Sequence, residues 1–135
     1  PAVGHPNFEI KEGTMEVGIG HHGEPGVEVC ALESAVQMAK RMVSMVVPDY
    51  PFRAGDEVVV LVSGLGATPL MELYVLYDEI DHLLTKEGIQ IHRAYVGNYF
   101  TSLEMMGATL TVMKLDQELK ELIDAPCNSM GFRQI

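Results

Sequence analysis

The sequence has little cysteine, little positive charge and no long apolar run, and each shortage excludes a class of protein. Only two cysteines occur, Cys30 and Cys127, which is too few for a disulfide scaffold, so we expect two buried free thiols. No apolar run approaches the roughly 20 residues of a membrane-spanning helix. The first residues also lack the layout of a signal peptide. We therefore expect a soluble, cytoplasmic protein with no membrane partner.

The charge balance is strongly acidic. Nine Lys and Arg stand against 19 Asp and Glu, a formal net charge of −10 at pH 7, and the basic residues form no cluster. Nucleic acids and anionic membranes attract basic surfaces, so the composition argues against both as partners. It also argues against unaided binding of a nucleoside triphosphate. A neutral small molecule or a basic protein surface fits this charge better.

The length and composition predict one domain, residues 1–135, because a chain of 135 residues that is 47% hydrophobic can bury a core. Residues 7–10 and 14–19 alternate polar and apolar side chains and predict a hairpin. Residues 28–47 carry apolar side chains at intervals of three and four, which predicts an amphipathic helix that Pro48 ends.

A strand, a turn and a second helix are predicted next. The unbroken apolar run at residues 58–62 is typical of a strand covered on both faces. We expect Thr68 to cap the following helix and Pro69 to be its first residue. This helix should run to about Lys86, where Gly88 ends it.

Two further strands and a helix complete the pattern. Strands are predicted at residues 89–96 and 108–113, and a short acidic helix at residues 116–123. Strands that alternate with helices place the fold in the α/β class. The opening hairpin indicates a mixed sheet. We expect two layers, with a mixed β-sheet covered by helices.

One glycine-rich segment carries most of the candidate chemistry. Residues 18–26 hold four glycines and one proline around His21, His22 and Glu24, which predicts a loop of fixed backbone geometry. Such a loop could present an imidazole as a nucleophile or base. From the residues alone, a structural histidine that bonds to the backbone is an equally good interpretation.

The other candidate sites are weaker. Residues 63–68 follow a strand and precede a helix, as a phosphate loop does, but they lack the Walker lysine and miss the dinucleotide spacing, so a backbone turn is favoured. Adjacent histidines in an extended loop should point apart, and no third ligand stands at metal spacing. His82 and His92 lie in periodic segments and are interpreted as surface or satisfied positions. No nucleophile signature surrounds the serines or the cysteines.

The chain resembles the C-terminal lobe of the K subunit of dihydroxyacetone (glycerone) kinase. The resemblance covers nearly the whole chain in the family's order. It rests on the opening residues 1–4 and on the segments 15–26, 64–72, 96–102 and 110–116.

The resemblance implies a covalent mode of substrate binding. Members of this family hold a short-chain ketose such as dihydroxyacetone as a hemiaminal on a histidine that precedes Gly-Glu-Pro-Gly, which here is His22. The residue before it is usually apolar in the family, whereas this sequence has His21. The spacing to Glu24 favours His22 as both the catalytic and the substrate-binding residue, with no metal.

The resemblance also implies what this chain leaves to others. The family's N-terminal lobe, which carries the acid/base His and Asp, has no counterpart in these residues. No cofactor is expected on this chain. ATP with magnesium, or a phosphoprotein of the phosphotransferase system, would act through an L domain or subunit. We expect a homodimer, and we expect the isolated chain to be inactive. A related alternative is a non-catalytic, ketose-sensing co-activator of the same family.

Overall fold

The computed structural model describes residues 4–5 and 9–135. The chain divides into two compact units, Pro1–Ser34 and Ala35–Ile135.

The first unit is built on an antiparallel hairpin whose second strand differs from the predicted one. β1 (Thr14–Val17) pairs with β2 (Glu28–Ala31), with Thr14 opposite Ala31 and Val17 opposite Glu28. The predicted strand at residues 7–10 falls partly outside the described residues, and its described part, Glu9 and Ile10, is not in a strand. The predicted hairpin partner is therefore wrong, because the true partner lies beyond the glycine-rich loop.

The second unit contains a three-stranded mixed sheet. β3 (Glu57–Gly64) lies in the centre, parallel to β4 (Gln90–Gly97) and antiparallel to β5 (Ala108–Leu115). All three predicted strands are confirmed, and so is the mixed sheet. Its mixed character comes from β5, however, and the opening hairpin forms a separate two-stranded sheet.

Helices cover this sheet and close the core. α1 (Ala35–Val46) buries Ala39 and Val43, while α2 (Leu70–Lys86) buries four residues along one side. Together with the β3 valines they form one hydrophobic cluster. Its fully buried members are Ala39, Val58, Val60, Val62, Leu73, Ile80 and Leu84. The predicted helix at 28–47 is thus correct only from Ala35, because residues 28–31 extend to pair with β1.

The ends of α2 show one error and one success of local prediction. Thr68 does not cap the helix: its hydroxyl donates to the carbonyl of Gly107 at 2.7 Å and accepts from the Gly107 amide at 2.8 Å. Pro69 is the N-cap residue, and the helix begins at Leu70. At the other end Gly88 has φ +77° and its amide donates to Thr85, so the predicted stop is confirmed.

The C-terminal part adds α3 and a small ribbon. α3 (Gln117–Asp124) is the predicted acidic helix, and the Asp116 carboxylate caps it by accepting from the Leu119 amide at 2.8 Å. β6 (Cys127–Asn128) and β7 (Arg133–Gln134) pair in a tail where no element was expected. The ribbon leaves Cys127 exposed, and Cys30 is only half-buried. Both thiols are free, but the expectation that both are buried is wrong.

Among the described residues, no helix is both long enough and apolar enough to cross a bilayer.

Candidate functional site

The glycine-rich segment is the connection between β1 and β2, and we call residues 18–27 the histidine loop. Both of its ends are fixed close to the hairpin. The Val27 amide donates to the carbonyl of Val17 at 2.8 Å. The Gly26 amide donates to Oε1 of Glu16 on β1 at 2.7 Å, a short bond strengthened by the carboxylate charge. The loop therefore leaves and re-enters the hairpin at defined points.

The tip of the loop is a tight turn with the two histidines at its centre. The Gly23 amide donates to the carbonyl of Gly20 at 3.1 Å, and the Gly20 amide donates to the carbonyl of Glu24 at 2.9 Å. Gly23 has φ +91°, a left-handed conformation that residues with a Cβ adopt at a cost. Because residues 20–23 form this turn, His21 and His22 lie at its tip and are exposed.

Glu24 folds back under the turn. Its Oε2 accepts a hydrogen bond from the backbone amide of His22 at 3.0 Å. A Cβ added to Gly20 would overlap the Glu24 side chain, from its Cβ to its carboxylate. Gly20 is therefore required for space, and the space it leaves is filled by Glu24.

The His22 imidazole is exposed and faces that carboxylate on one side. Its side chain is 84% exposed, and its Nδ1 lies 3.6 Å from Oε1 of Glu24. This distance is too long for a hydrogen bond but short enough for electrostatic attraction. The other ring nitrogen, Nε2, has no partner among the described residues. A neutral imidazole in this setting has a nitrogen lone pair free to act as a nucleophile or base.

His21 lies against His22, which differs from the expected arrangement. The two ring centroids are 5.2 Å apart with an interplanar angle of 68°. The rings contact edge to face because the backbone turns tightly between Gly20 and Gly23 and is not extended there. Within the described residues, no group of three His, Cys, Asp or Glu side chains is arranged to hold a metal ion.

His82 and His92 are placed as the sequence indicated. His82 is exposed, with Nδ1 3.8 Å from Asp78. His92 on β4 is largely buried, and its Nε2 makes a 2.8 Å bond to Oδ2 of Asp124. This bond from His92, assisted by Arg93, holds the pKa of the Asp124 carboxyl below its usual range. His92 therefore has a structural partner.

The segment 63–68 is a turn whose amides bond to carbonyls of the residues that precede β5. The Leu65 amide donates to the carbonyl of Gly107 at 3.2 Å, and the Ala67 amide donates to the carbonyl of Met105 at 3.0 Å. Two amides that a phosphate would need are thus engaged, and the segment has no lysine. Residues 101–106 run beside this turn without forming a helix, and Met105 forms a β-bridge with Gly66.

Two residues of structural importance were missed from the sequence. Glu16 holds Gly26, and Ser63 is fully buried with its hydroxyl accepting from the amides of Tyr99 and Phe100 at 3.0 and 2.9 Å. In each case the side chain bonds to a backbone amide distant in sequence. A pattern of residue types contains no signal for such a partner.

Taken together, the fold and the loop define a mixed α/β protein that presents an imidazole on a glycine-built hairpin loop. The Dak1 domain family model matches residues 1–131. Two dihydroxyacetone-binding subunits of PTS-dependent dihydroxyacetone kinases from Listeria innocua are 42% and 46% identical over 133 residues, which is 98% of this chain and 40% of each relative. The solved structure of a dihydroxyacetone kinase operon co-activator superposes with a TM-score of 0.81 at 33% identity, covering 88% of this chain and 38% of that one.

The chain belongs to the Dak1 domain family. It spans about two fifths of the length of the curated relatives it matches.

Proposed function

We propose that this chain is the C-terminal, substrate-capturing lobe of a dihydroxyacetone kinase subunit, and that His22 binds a short-chain ketose as a covalent hemiaminal. The observation that carries the proposal is an exposed imidazole at the tip of a glycine-built loop in a Dak1 chain. The Listeria relatives are dihydroxyacetone-binding subunits, and this supports the substrate class.

The chemistry is an addition in which no atom is lost. The Nε2 lone pair of a neutral His22 forms a bond to the carbonyl carbon, and the π electrons of the carbonyl move to its oxygen. That oxygen gains a proton and the ring gives up the proton of its other nitrogen. Such capture selects ketoses over polyols such as glycerol, which have no carbonyl carbon to attack. It also fixes the terminal hydroxyl group for phosphoryl transfer.

The rest of the reaction belongs to partners. We propose an N-terminal lobe that supplies the acid/base groups, and an L domain or subunit that delivers phosphate from ATP with magnesium or from a PTS phosphoprotein. The 63–68 turn supports this division, because the Leu65 and Ala67 amides bond to the carbonyls of Gly107 and Met105 and are not free to hold a phosphate group. We also propose a homodimer that works in the cytoplasm.

Intact-mass measurement tests the capture step. The protein with both lobes, incubated with dihydroxyacetone, should gain the full mass of the ketose without loss of water. His22→Gln should abolish the gain, whereas the matched control His21→Gln should retain it, and glycerol should give no adduct. Borohydride separates this adduct from a lysine imine, because it reduces the imine and leaves a hemiaminal unreduced. An adduct that persists in His22→Gln would contradict the assignment.

Activity of the isolated chain tests the division of labour. The purified 135-residue chain should neither hydrolyse ATP nor phosphorylate dihydroxyacetone, because the donor and the acid/base groups lie elsewhere. A coupled assay for ADP and a direct assay for the phosphorylated ketose measure the two reactions separately. Turnover by the chain alone would exclude the proposed division.

A co-activator that binds ketose without phosphorylating it is the second candidate. It is favoured by the similarity to the structure of a dihydroxyacetone kinase operon co-activator. The N-terminal lobe that accompanies this chain discriminates between the two candidates. An acid/base His and Asp pair there favours the kinase, and its loss favours the co-activator.

A further inference from the structure

We infer that Glu24 is a positioning residue, whose carboxylate holds the His22 ring in the tautomer that carries its proton on Nδ1 and leaves the Nε2 lone pair free. The inference rests on the proposed function for its catalytic meaning. The tautomer itself can be measured with no ketose present.

The loop is shaped around the Glu24 side chain. Its Oε2 is fixed by the His22 amide at 3.0 Å, and the position beside it is a glycine whose missing Cβ leaves the space that Glu24 fills. The carboxylate is therefore hydrogen-bonded to the backbone of the same residue whose ring it faces. A glutamate that only made the surface hydrophilic would need neither the bond to the His22 amide nor the space left by Gly20.

The second carboxylate oxygen faces one ring nitrogen only. Oε1 lies 3.6 Å from Nδ1 of His22. Among the described residues, no other carboxylate lies within ion-pair distance of this ring. Glu16, the other carboxylate that bonds to the loop, is bound to the Gly26 amide. A negative charge on the Nδ1 side stabilises the Nδ1–H form, and the partner of one ring nitrogen determines the state of the other.

The same carboxylate lies where charge develops during addition. When Nε2 bonds to the carbonyl carbon, the ring becomes an imidazolium and the oxygen an alkoxide. The neutral hemiaminal forms when the Nδ1 proton leaves and the oxygen gains one. A carboxylate beside Nδ1 stabilises the cation and can accept that proton. Such contacts often shorten when the substrate is bound, so the 3.6 Å separation suits this role.

Long-range ¹H–¹⁵N NMR of the full chain reports the protonation of each ring nitrogen. In the wild type, the His22 shifts should indicate protonated Nδ1 and unprotonated Nε2. Glu24→Gln can still accept from the His22 amide but removes the charge, so the ring should move towards the Nε2–H form, which a free imidazole side chain prefers in water. Glu16→Gln is the matched control, since it makes the same exchange at the carboxylate that bonds Gly26, and it should leave the ring unchanged.

A second variant changes the position of Glu24 without changing its chemistry. Gly20→Ala should displace the carboxylate and produce the same shift of tautomer. Gly131→Ala is its control, because a Cβ there meets nothing within 4 Å. Circular dichroism shows whether Glu24→Gln is folded. If it folds poorly, Gly20→Ala and its control Gly131→Ala still test the inference.

Adduct formation supplies the functional measurement. In the protein with both lobes, Glu24→Gln should slow adduct formation on the order of tenfold or more, as loss of a proton-handling group does. A wild-type ring in the Nε2–H form, or an unchanged tautomer in both Glu24→Gln and Gly20→Ala, would overturn the inference. If the tautomer responds as expected but the wild type forms no adduct, the positioning of the ring stands and the proposed function fails.

Discussion

Removal of the Ser63 hydroxyl should destabilise the second unit by more than the loss of one ordinary hydrogen bond. The side chain is 0% exposed. Its oxygen accepts from the amides of Tyr99 at 3.0 Å and Phe100 at 2.9 Å. The same oxygen lies 3.2 Å from the carbonyl oxygens of Gly64 and Phe100, to which the hydroxyl can donate its single proton. Ser63→Ala removes the hydroxyl and adds no new group.

The magnitude follows from the two amides left without an acceptor. Each unsatisfied buried donor costs about 1–3 kcal/mol. The side chains of Tyr99 and Phe100 are about half exposed, so water reaches this region and the lower part of that range applies. We expect the free energy of unfolding to fall by roughly 2–4 kcal/mol.

Urea denaturation followed by circular dichroism measures the change, compared at equal m-values. The matched control is Thr109→Val, because the Thr109 hydroxyl makes only a long 3.4 Å bond to the Ser63 carbonyl; its cost should stay below about 1 kcal/mol. Hydrogen exchange should show lost protection at the amides of Tyr99 and Phe100. Equal stability of the two variants, or amides that stay protected in Ser63→Ala, would refute the reasoning.

Two further predictions concern charge and packing. The folded-state pKa of Asp124 is lowered from 3.8 by the bond from His92, so its stabilising contribution is present above that value and is lost as pH falls through the lower folded value. The difference in the free energy of unfolding between wild type and Asp124→Asn, measured by urea titration, should therefore shrink in acid. The control Asp78→Asn should differ little from wild type at any pH. A difference for Asp124→Asn that grows in acid would contradict the predicted direction. Leu73→Ala should cost about 3–5 kcal/mol, because this side chain is 0% exposed. Leu70→Ala on the same helix, 51% exposed, should cost less than about 1 kcal/mol, and equal costs would contradict the assigned core.

The second unit could largely be predicted from the sequence because its signals are local. The apolar run at residues 58–62 lies in the central strand, and Gly88 ends α2 with the expected left-handed backbone. Both features depend on residues within a few positions. The same holds for Asp116, whose carboxylate caps the helix that follows it.

Most of the errors involve partners distant in sequence. Residues 28–31 fit a helical repeat, yet they extend because β1 offers an antiparallel partner across the histidine loop. Thr68 is a good cap by type, but Gly107, 39 positions away, takes its hydroxyl. Cys127 is exposed in a two-stranded ribbon, where it lies opposite Gln134. Residue type and spacing do not encode these pairings.

The candidate site also has a part that the sequence predicts and a part that it does not. The glycines and the proline predict a loop that presents histidines, whereas the choice of His22 over His21 is a prediction that comes from the family resemblance. The contact of Glu24 with the His22 amide, and the anchoring of Gly26 by Glu16, depend on backbone geometry that appears only once the loop is folded.

The space shared by Gly20 and Glu24 has a consequence for the order in which this loop can change during evolution. A side chain at position 20 overlaps the present Glu24, so that substitution has to displace the Glu24 side chain. A shorter residue at position 24 removes the contacts of the carboxylate, but every residue except glycine keeps the Cβ that lies 2.6 Å from the added atom. The two positions are therefore epistatic. A redesign that places a side chain at position 20 without displacing its neighbour needs glycine at position 24 first.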